Sequence, residues 1–281
     1  MAVYFVTGKL GSGKSLVCVG KAFDYLKEGR RVATNLDLFA SNIMKRNAKT
    51  PIIRLPDKPR PQDLEGMGLG CEELNEDKYG LLILDECGTW LNSRSWNDPE
   101  RAAFIDFMLH ARKKRWDVLL IVQNENIIDK QIRESLCEHL VLCRRLDRLQ
   151  VPIISKLTKL LFDFKVTFPK IHRAKVHYGD SKQDIVADTW TYQAKNLYDA
   201  YDTEQAFTMD ELRIDDETVI DMRATYTVLP RWHIEGRYYT KPPTFDWLDH
   251  PIKTLLLPIW LIHYLFKRRQ VAPPRSVGAS C

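Results

Sequence analysis

The chain has 281 residues, 44% of them hydrophobic, which is long enough to bury a full α/β core and makes one large domain with appendages the expected organisation. Lys and Arg number 42 against 37 Asp and Glu, and the net charge of +5 is compatible with phosphate or anionic lipid partners without requiring either. The six cysteines include no C-x-x-C pair, which excludes that spacing of a zinc or redox site. The N-terminus lacks the basic start and long apolar core of a secretory signal, so we expect reduced thiols and a chain that stays mostly in the cytosol.

Short apolar runs alternate with helical patterns along residues 1–150, and this alternation predicts an α/β fold in which a parallel sheet is flanked by helices. The predicted strands occupy residues 2–7, 31–36, 80–86, 117–123 and 139–144. The predicted helices occupy residues 14–28, 99–115 and 129–137. Prolines and glycines interrupt the residues between 36 and 80, which we interpret as loop and short helix.

The chain after residue 150 divides into three predicted regions. Residues 151–245 are an appended α+β region, in which residues 164–178 alternate in the manner of exposed antiparallel strands. Residues 251–268 contain an uncharged stretch, residues 254–266, and residues 269–281 form a short tail.

Residues 8–15 match the phosphate-binding pattern G-x-x-x-x-G-K-[ST] between a predicted strand and a predicted helix. The glycines let backbone N–H groups close around phosphates, and the helix N-terminus adds partial positive charge. We expect Lys14 to reach the β- and γ-phosphates and the Ser15 hydroxyl to bind Mg²⁺. The alternative is a glycine turn with an incidental lysine, which the flanking elements disfavour. The predicted nucleotide-binding residues are Gly8, Lys9, Leu10, Gly11, Ser12, Gly13, Lys14 and Ser15.

Two acidic residues, Asp85 and Glu86, follow an apolar strand at the position where a P-loop enzyme needs a carboxylate for Mg²⁺ and a second one to polarise the attacking water. A solvated strand end is the alternative, and the upstream P-loop favours catalysis. Gln123 ends another apolar run and is predicted either to sense the γ-phosphate or to be a plain polar residue at a strand end. The predicted catalytic residues are Lys14, Asp85, Glu86 and Gln123, the predicted metal ligands are Ser15 and Asp85, and the predicted cofactors are ATP and Mg²⁺.

Several basic residues have two interpretations. One of four arginines near the predicted crevice is a candidate arginine finger for a neighbouring subunit, namely Arg94, Arg112, Arg133 or Arg144. The basic run at residues 112–115 either contacts nucleic acid or places cations at a helix C-terminus, and the second interpretation is favoured. The absence of an N-K-x-D segment after the core strands favours ATP over GTP.

The uncharged stretch at residues 254–266 is a candidate membrane helix. Its 13 residues would span about 20 Å as a helix, less than the roughly 30 Å of a hydrocarbon core. Snorkelling of Lys253 and Lys267 can lengthen it. A buried amphipathic helix is the alternative to the single membrane-anchoring helix that we predict at residues 251–268.

Longer blocks of the sequence resemble the zonular occludens toxin (Zot) family of filamentous-phage assembly ATPases. The resemblance covers most of residues 1–205, and its non-catalytic blocks make it more specific than a P-loop alone. The blocks are residues 1–15, 33–38, 84–90, 94–98, 110–113, 129–131, 143–148, 178–181 and 195–203.

This resemblance implies a fold similar to the FtsK/HerA-like motors, with Glu86 as the hydrolytic glutamate and a ring-shaped homo-oligomer. It also implies a cytoplasmic N-terminal ATPase domain at residues 1–150, on one helix in the host inner membrane. Phage coat proteins and an outer-membrane channel protein are the implied partners. The resulting hypothesis is an ATP-hydrolysing motor that assembles and extrudes filamentous phage. The alternatives are a small-molecule P-loop kinase and a secreted toxin-like ligand that acts on cell junctions.

Deleting the residues after 250 is expected to release the protein from membranes into the soluble fraction, because the deletion removes the apolar stretch. Fractionation of host cells, followed by a carbonate wash of the membranes, measures this. A matched deletion of residues 269–281 alone leaves the stretch in place and is expected to stay with the membrane. Extraction of the full-length protein by carbonate would reject the anchor.

Overall fold

The structure is a computed structural model, and it describes residues 2–46, 48–89, 99–124, 128, 130–146, 170–205, 207, 211–213, 219–221 and 224–234. The chain divides into two compact units, Met1–Glu235 and Gly236–Cys281. All of the described residues belong to the first unit.

The fold is a mixed α/β arrangement built on one large sheet. The strands are β1 (Val3–Thr7), β2 (Val32–Thr34), β3 (Ile52–Arg54), β4 (Gly80–Leu84), β5 (Trp116–Ile121), β6 (His139–Arg145), β7 (Ile171–Tyr178), β8 (Val186–Gln193), β9 (Glu211–Arg213), β10 (Val219–Asp221) and β11 (Tyr226–Val228). Within the described part of the chain, nine strands form this sheet in the order β11-β3-β2-β4-β5-β1-β6-β7-β8. Strands β9 and β10 form a separate antiparallel pair.

Parallel pairing dominates the centre of the sheet, as the alternating sequence pattern predicts. Strand β1 pairs in parallel with β5 on one side and with β6 on the other. The parallel pairing continues through β4, β2 and β3. The edges are antiparallel, because β11 pairs with β3 and the hairpin of β7 and β8 pairs with β6. The parallel-dominated α/β fold is thus confirmed. The sequence pattern indicated antiparallel strands within residues 164–178, but it did not indicate that they extend this sheet or that the opposite edge is antiparallel.

Helices cover both faces of the sheet. They are α1 (Lys14–Lys27), α2 (Ala40–Ile43), α3 (Pro61–Gly66), α4 (Pro99–His110), α5 (Lys130–Leu136) and α6 (Arg231–Ile234). Successive strand residues enter two different buried clusters, so that Val6 packs with α1 while Phe5 packs with α4 and α5. Because both faces are buried, the central strands are continuously apolar.

Two predicted elements differ in extent from the observed ones. The predicted helix at 99–115 ends at His110, and the following residues form a turn in which Arg115 has a left-handed φ of 62°. The basic run at residues 112–115 therefore lies in this turn and not in the last turn of a helix. The region between residues 36 and 80, interpreted as loop and short helix, also contains the buried strand β3.

The antiparallel strand predicted within residues 164–178 is present as β7, but it is not simply exposed. Its residues alternate, and His172, Ala174 and Val176 are buried. Residues 164–169 lie outside the described part of the chain. The proposed domain division at residue 150 stays a sequence-based prediction.

No helix in the described ranges is both long enough and apolar enough to cross a membrane. The predicted membrane stretch at residues 254–266 lies outside those ranges.

Strand β8 packs directly on α1 through a close contact between Gly20 and Tyr192. A Cβ atom built on Gly20 would lie 2.5 Å from Cδ1 of the Tyr192 ring. The Tyr192 hydroxyl donates a hydrogen bond to Oδ2 of Asp24 at 2.6 Å, one turn further along α1. Burial raises the pKa of Tyr192, and so does the carboxylate of Asp24. The glycine in the helix is thus required by the hairpin that packs on it.

Gly20→Ala is expected to destabilise the protein by about 1–3 kcal/mol, because the added methyl group overlaps the Tyr192 ring. Without that ring, alanine in a helix would be favoured over glycine by about 1 kcal/mol. Urea unfolding measures the difference. Gly66→Ala in α3 is the matched control, because a Cβ there meets nothing within 4 Å. A Gly20→Ala protein as stable as the wild type would contradict the contact.

Candidate functional site

The P-loop leaves the carboxyl end of β1, at the centre of the parallel strands. Its backbone turns through Gly11 and Gly13, whose φ angles of 68° and 84° lie in the left-handed region that favours glycine. Helix α1 begins at the next residue, Lys14. The loop therefore presents backbone N–H groups and a helix N-terminus to the same point, which is an anion-binding arrangement.

Strand β7 contacts this loop through His172, which is only 2% exposed. Its Nδ1 atom lies 3.3 Å from the carbonyl oxygen of Ser12, so a hydrogen on Nδ1 can be donated to that carbonyl. A Cβ atom on Gly13 would come within 1.8 Å of the same Nδ1 atom. Sequence reasoning missed His172, although the alternation of residues in this segment placed it on one face.

Lys14 and Ser15 occupy the positions predicted for them at the start of α1. The Lys14 Nζ atom donates to the carbonyl oxygen of Gly8 at 3.2 Å, so the ammonium lies over the loop. The Ser15 hydroxyl donates to Oδ2 of Asp85 at 2.8 Å, although 70 residues separate them in sequence. One hydroxyl and one carboxylate are hard oxygen donors, and this donor set fits Mg²⁺.

Asp85 and Glu86 follow β4 directly. Burial raises the pKa of Asp85, while the hydrogen bonds from the Ser15 hydroxyl and from the Glu86 N–H lower it. The Glu86 N–H lies 2.7 Å from Oδ1 of Asp85. Glu86 is exposed and has a left-handed φ of 56°. Such a conformation is uncommon for a residue other than glycine, and it turns the Glu86 side chain away from the direction that the strand would give it.

Desolvation raises the pKa of Glu86, and the negative charge of Asp85 raises it further. The two neighbouring carboxyl groups thus differ in environment, since Asp85 is half-buried and accepts the hydrogen bond from Ser15, while Glu86 is exposed. Two carboxyl groups in different environments can take different chemical roles.

A cavity of about 570 Å³ opens at this edge of the sheet. Gln123, which follows β5, lines it as the sequence analysis expected. Five residues from the segment 201–207 also line it, and sequence reasoning missed all of them. The lining residues are Leu10, Lys14, Ser15, Leu36, Asp85, Glu86, Gly88, Ile121, Val122, Gln123, Tyr201, Asp202, Thr203, Gln205 and Phe207.

The candidate arginines lie at different edges of the sheet. Arg112 precedes β5 and donates to Glu76, while Arg133 in α5 donates to Asp180. Both are near the amino ends of the parallel strands, away from the P-loop. Arg144 is exposed near the end of β6, on the P-loop edge. Arg94 lies outside the described residues.

Gly13→Ala is expected to weaken ATP binding by about 100-fold or more. The left-handed backbone disfavours alanine by about 1–2 kcal/mol, and the overlap with His172 adds about 1–3 kcal/mol. Fluorescence titration with a labelled ATP analogue measures the affinity. Gly29→Ala is the control, since Gly29 has a φ of 76° but a Cβ there meets nothing within 4 Å. Equal affinities of the two variants would contradict the role of the His172 contact.

Comparison with known proteins gives consistent matches for most of the described residues. The chain is 54% identical over 210 residues to the gene 1 protein of Enterobacteria phage M13, a match that covers 74% of this chain and 60% of that protein. It is 49% identical over 213 residues to the gene 1 protein of Salmonella phage IKe, covering 75% of this chain and 58% of that protein. The chain thus spans about 60% of the length of the curated relatives that it matches.

A solved structure, the N-terminal domain of zonular occludens toxin from Neisseria meningitidis, aligns with 72% of this chain and 98% of that domain, at 16% identity and a TM-score of 0.40. The family model described as "Zonular occludens toxin (Zot)" matches residues 2–199. Because this match covers more than half of the chain, the protein belongs to the zonular occludens toxin (Zot) family.

Proposed function

We propose that this protein is a Mg²⁺-dependent ATPase that drives the assembly and extrusion of filamentous phage at the host inner membrane. The observation that carries the enzymatic part is the hydrogen bond between Ser15 and Asp85, which brings the P-loop and the acidic end of β4 together at 2.8 Å. The identity of 49–54% to gene 1 proteins of phages supports the biological part.

The phosphates of ATP would bind to the backbone N–H groups of residues 8–15 and to the ammonium of Lys14. Ser15 and Asp85 would hold Mg²⁺, and the ion would supply positive charge that offsets the charge of the phosphates. The affinity for nucleotide would thus depend mainly on the loop and on Lys14. The position of the Mg²⁺ ion would depend on Ser15 and Asp85.

Glu86 is the proposed general base. Its carboxylate lies next to the metal-binding residue, faces the cavity and has a raised pKa, which suits a group that accepts a proton from water. Gln123 lies on the same cavity wall and would orient that water by hydrogen bonding. Hydrolysis would supply the energy for a conformational change, and the useful output of the motor would be movement.

The cellular part of the proposal follows the family resemblance. The protein would work as a homo-oligomeric ring similar to the FtsK/HerA-like motors, with its ATPase domain in the cytoplasm and residues 254–266 as a single membrane anchor. Phage coat proteins and an outer-membrane channel would be its partners. Contact with nucleic acid stays a prediction from the basic residues.

Lys14→Ala is expected to lower ATP affinity by about 100-fold, because it removes the cation that contacts the phosphates. Glu86→Gln is expected to bind ATP normally and to lower turnover by about 10²-fold to 10³-fold, because the amide cannot accept the proton from water. Titration with a labelled ATP analogue and an assay of phosphate release on membranes measure the two effects. Glu65→Gln, an exposed residue of α3, is the control with the same change of charge.

The same variants test the biological part in cells that carry the phage. Cells with Glu86→Gln are expected to accumulate coat protein without releasing virions, and purified coat protein is expected to stimulate phosphate release from wild-type membranes. Virion release at the wild-type level from cells with Glu86→Gln would reject the motor. Phosphate transfer to a metabolite in place of water would favour a small-molecule kinase.

A further inference from the structure

The loops that follow β2, β3 and β4 reach the cavity edge beyond the last residues of their strands. In the parallel ladder, Thr34 of β2 is the last residue to pair with β3 and with β4. The Asn35 N–H still donates to the carbonyl oxygen of Ile83 at 3.4 Å, but the ladder ends there, and a buried backbone group without a hydrogen bond is costly. Three polar side chains supply the missing partners, and they connect the three loops to one another.

The first of these side chains belongs to Asn35, which is fully buried. Its Oδ1 atom accepts the N–H of Asp85 at 2.8 Å, and its Nδ2 atom donates to the carbonyl oxygen of Asp85 at 3.1 Å. The second Nδ2 hydrogen reaches the carbonyl oxygen of Asp57 at 3.0 Å. The side-chain amide thus takes the place of the next peptide of β2 and holds both backbone groups of Asp85.

The second side chain belongs to Gln205, which comes from the segment that lines the cavity. Its Oε1 atom accepts the N–H of Asp37 at 2.8 Å, and its Nε2 atom donates to the carbonyl oxygen of Asn35 at 2.9 Å. The N–H of Asp202 also donates to the carbonyl oxygen of Asp37 at 3.0 Å. An antiparallel bridge joins Leu38 to Tyr201. The segment therefore lies along the loop after β2 and forms hydrogen bonds with its backbone.

The third side chain, Arg54, connects the loop after β2 to the loop after β3. It is 7% exposed, and it donates to Oδ1 of Asp37 at 2.7 Å and to Oδ1 of Asp57 at 2.6 Å. Since Asn35 binds the carbonyl oxygen of Asp57, the hydrogen bonds form a closed ring. The ring includes Asn35, which also holds the main chain of Asp85.

We propose that Asn35 and Gln205 are positioning residues for Asp85, so that these two amides set the metal affinity and the turnover of the site without setting its affinity for nucleotide. The proposal rests on the proposed ATPase function and deepens it. The contacts of Gln205 lead to Asp85 through Asn35, whereas the P-loop, which holds the phosphates, is supported separately by His172.

Gln205→Met tests the proposal, because methionine has a similar length and makes neither hydrogen bond. We expect turnover to fall about tenfold, the usual size of the loss of one or two neutral hydrogen bonds. Mn²⁺, titrated by electron paramagnetic resonance into the complex with a non-hydrolysable ATP analogue, is expected to bind about tenfold more weakly. The affinity for the analogue in EDTA is expected to stay within about twofold of the wild type.

Gln205→Glu is the second variant, because it keeps the acceptor for the Asp37 N–H, loses the donor to Asn35 and adds one negative charge. It is expected to reproduce the loss of Mn²⁺ affinity. Gln193→Glu on β8 is the matched control, since this exposed glutamine lies outside the ring of hydrogen bonds, and it is expected to behave as the wild type. Thermal unfolding of each variant separates a change at the site from a loss of folded protein.

Three results would overturn the proposal. The first is wild-type turnover and Mn²⁺ affinity in both Gln205 variants, whatever their melting temperatures. The second is a raised KM for ATP with an unchanged kcat, which would make the segment a nucleotide-binding wall. The third is loss of folded protein in both variants, which would give Gln205 a purely structural role. A wild-type protein that hydrolyses no ATP would instead reject the proposed function, so the two failures are distinguishable.

Discussion

The site depends on one geometric constraint, which is that the carboxyl ends of parallel strands meet at the same edge of a sheet. The P-loop after β1, the acids after β4 and Gln123 after β5 are far apart in sequence, and the pairing of these strands brings them to one cavity. The strands at that edge stop pairing where the polar residues of the site begin. Backbone groups there need partners of another kind, and the molecule provides a histidine and two side-chain amides.

The rigidity of this edge comes from burial on both faces of the sheet. Strand β4 is buried along its whole length, with Ile83 facing the cluster around α1 and Leu84 facing the cluster around α4. A strand held on both sides cannot rotate its end residue, so Asp85 leaves the sheet in a defined direction. The left-handed backbone of Glu86 then departs from that direction, and the two carboxyl groups come to have different surroundings.

Local sequence patterns predicted the features that are formed by residues close together in sequence. The P-loop, the apolar strands and the pair Asp85 and Glu86 are of this kind, and the structure brings Ser15 to Asp85. The short strand β3 has too few residues to show a period. The pairing of β11 with β3 was missed because the two strands are distant in sequence. The alternation within residues 164–178 indicated an antiparallel strand, but not its place on the edge of the main sheet.

The supporting residues of the site could not have been inferred from local patterns for the same reason. His172 contacts a residue 160 positions earlier, and Gln205 contacts residues 168 and 170 positions earlier. Neither lies in a motif, and a single glutamine in a polar segment looks like any surface residue. Asn35 likewise follows a short strand without any pattern that marks it. Their roles become visible only when the tertiary contacts are known.

The long reach of these contacts has a consequence for synthesis on the ribosome. Residues 8–15 emerge well before His172 and Gln205, which follow them by more than 150 residues. The central strand β1 also waits for β5 and β6 before it can pair. Such non-local pairing is slow and leaves apolar strands exposed in the nascent chain. Because these supports follow it by 160 residues or more, the phosphate-binding loop is translated well before them, and a nascent chain acquires a fully supported site only after residues 172–205 have been translated.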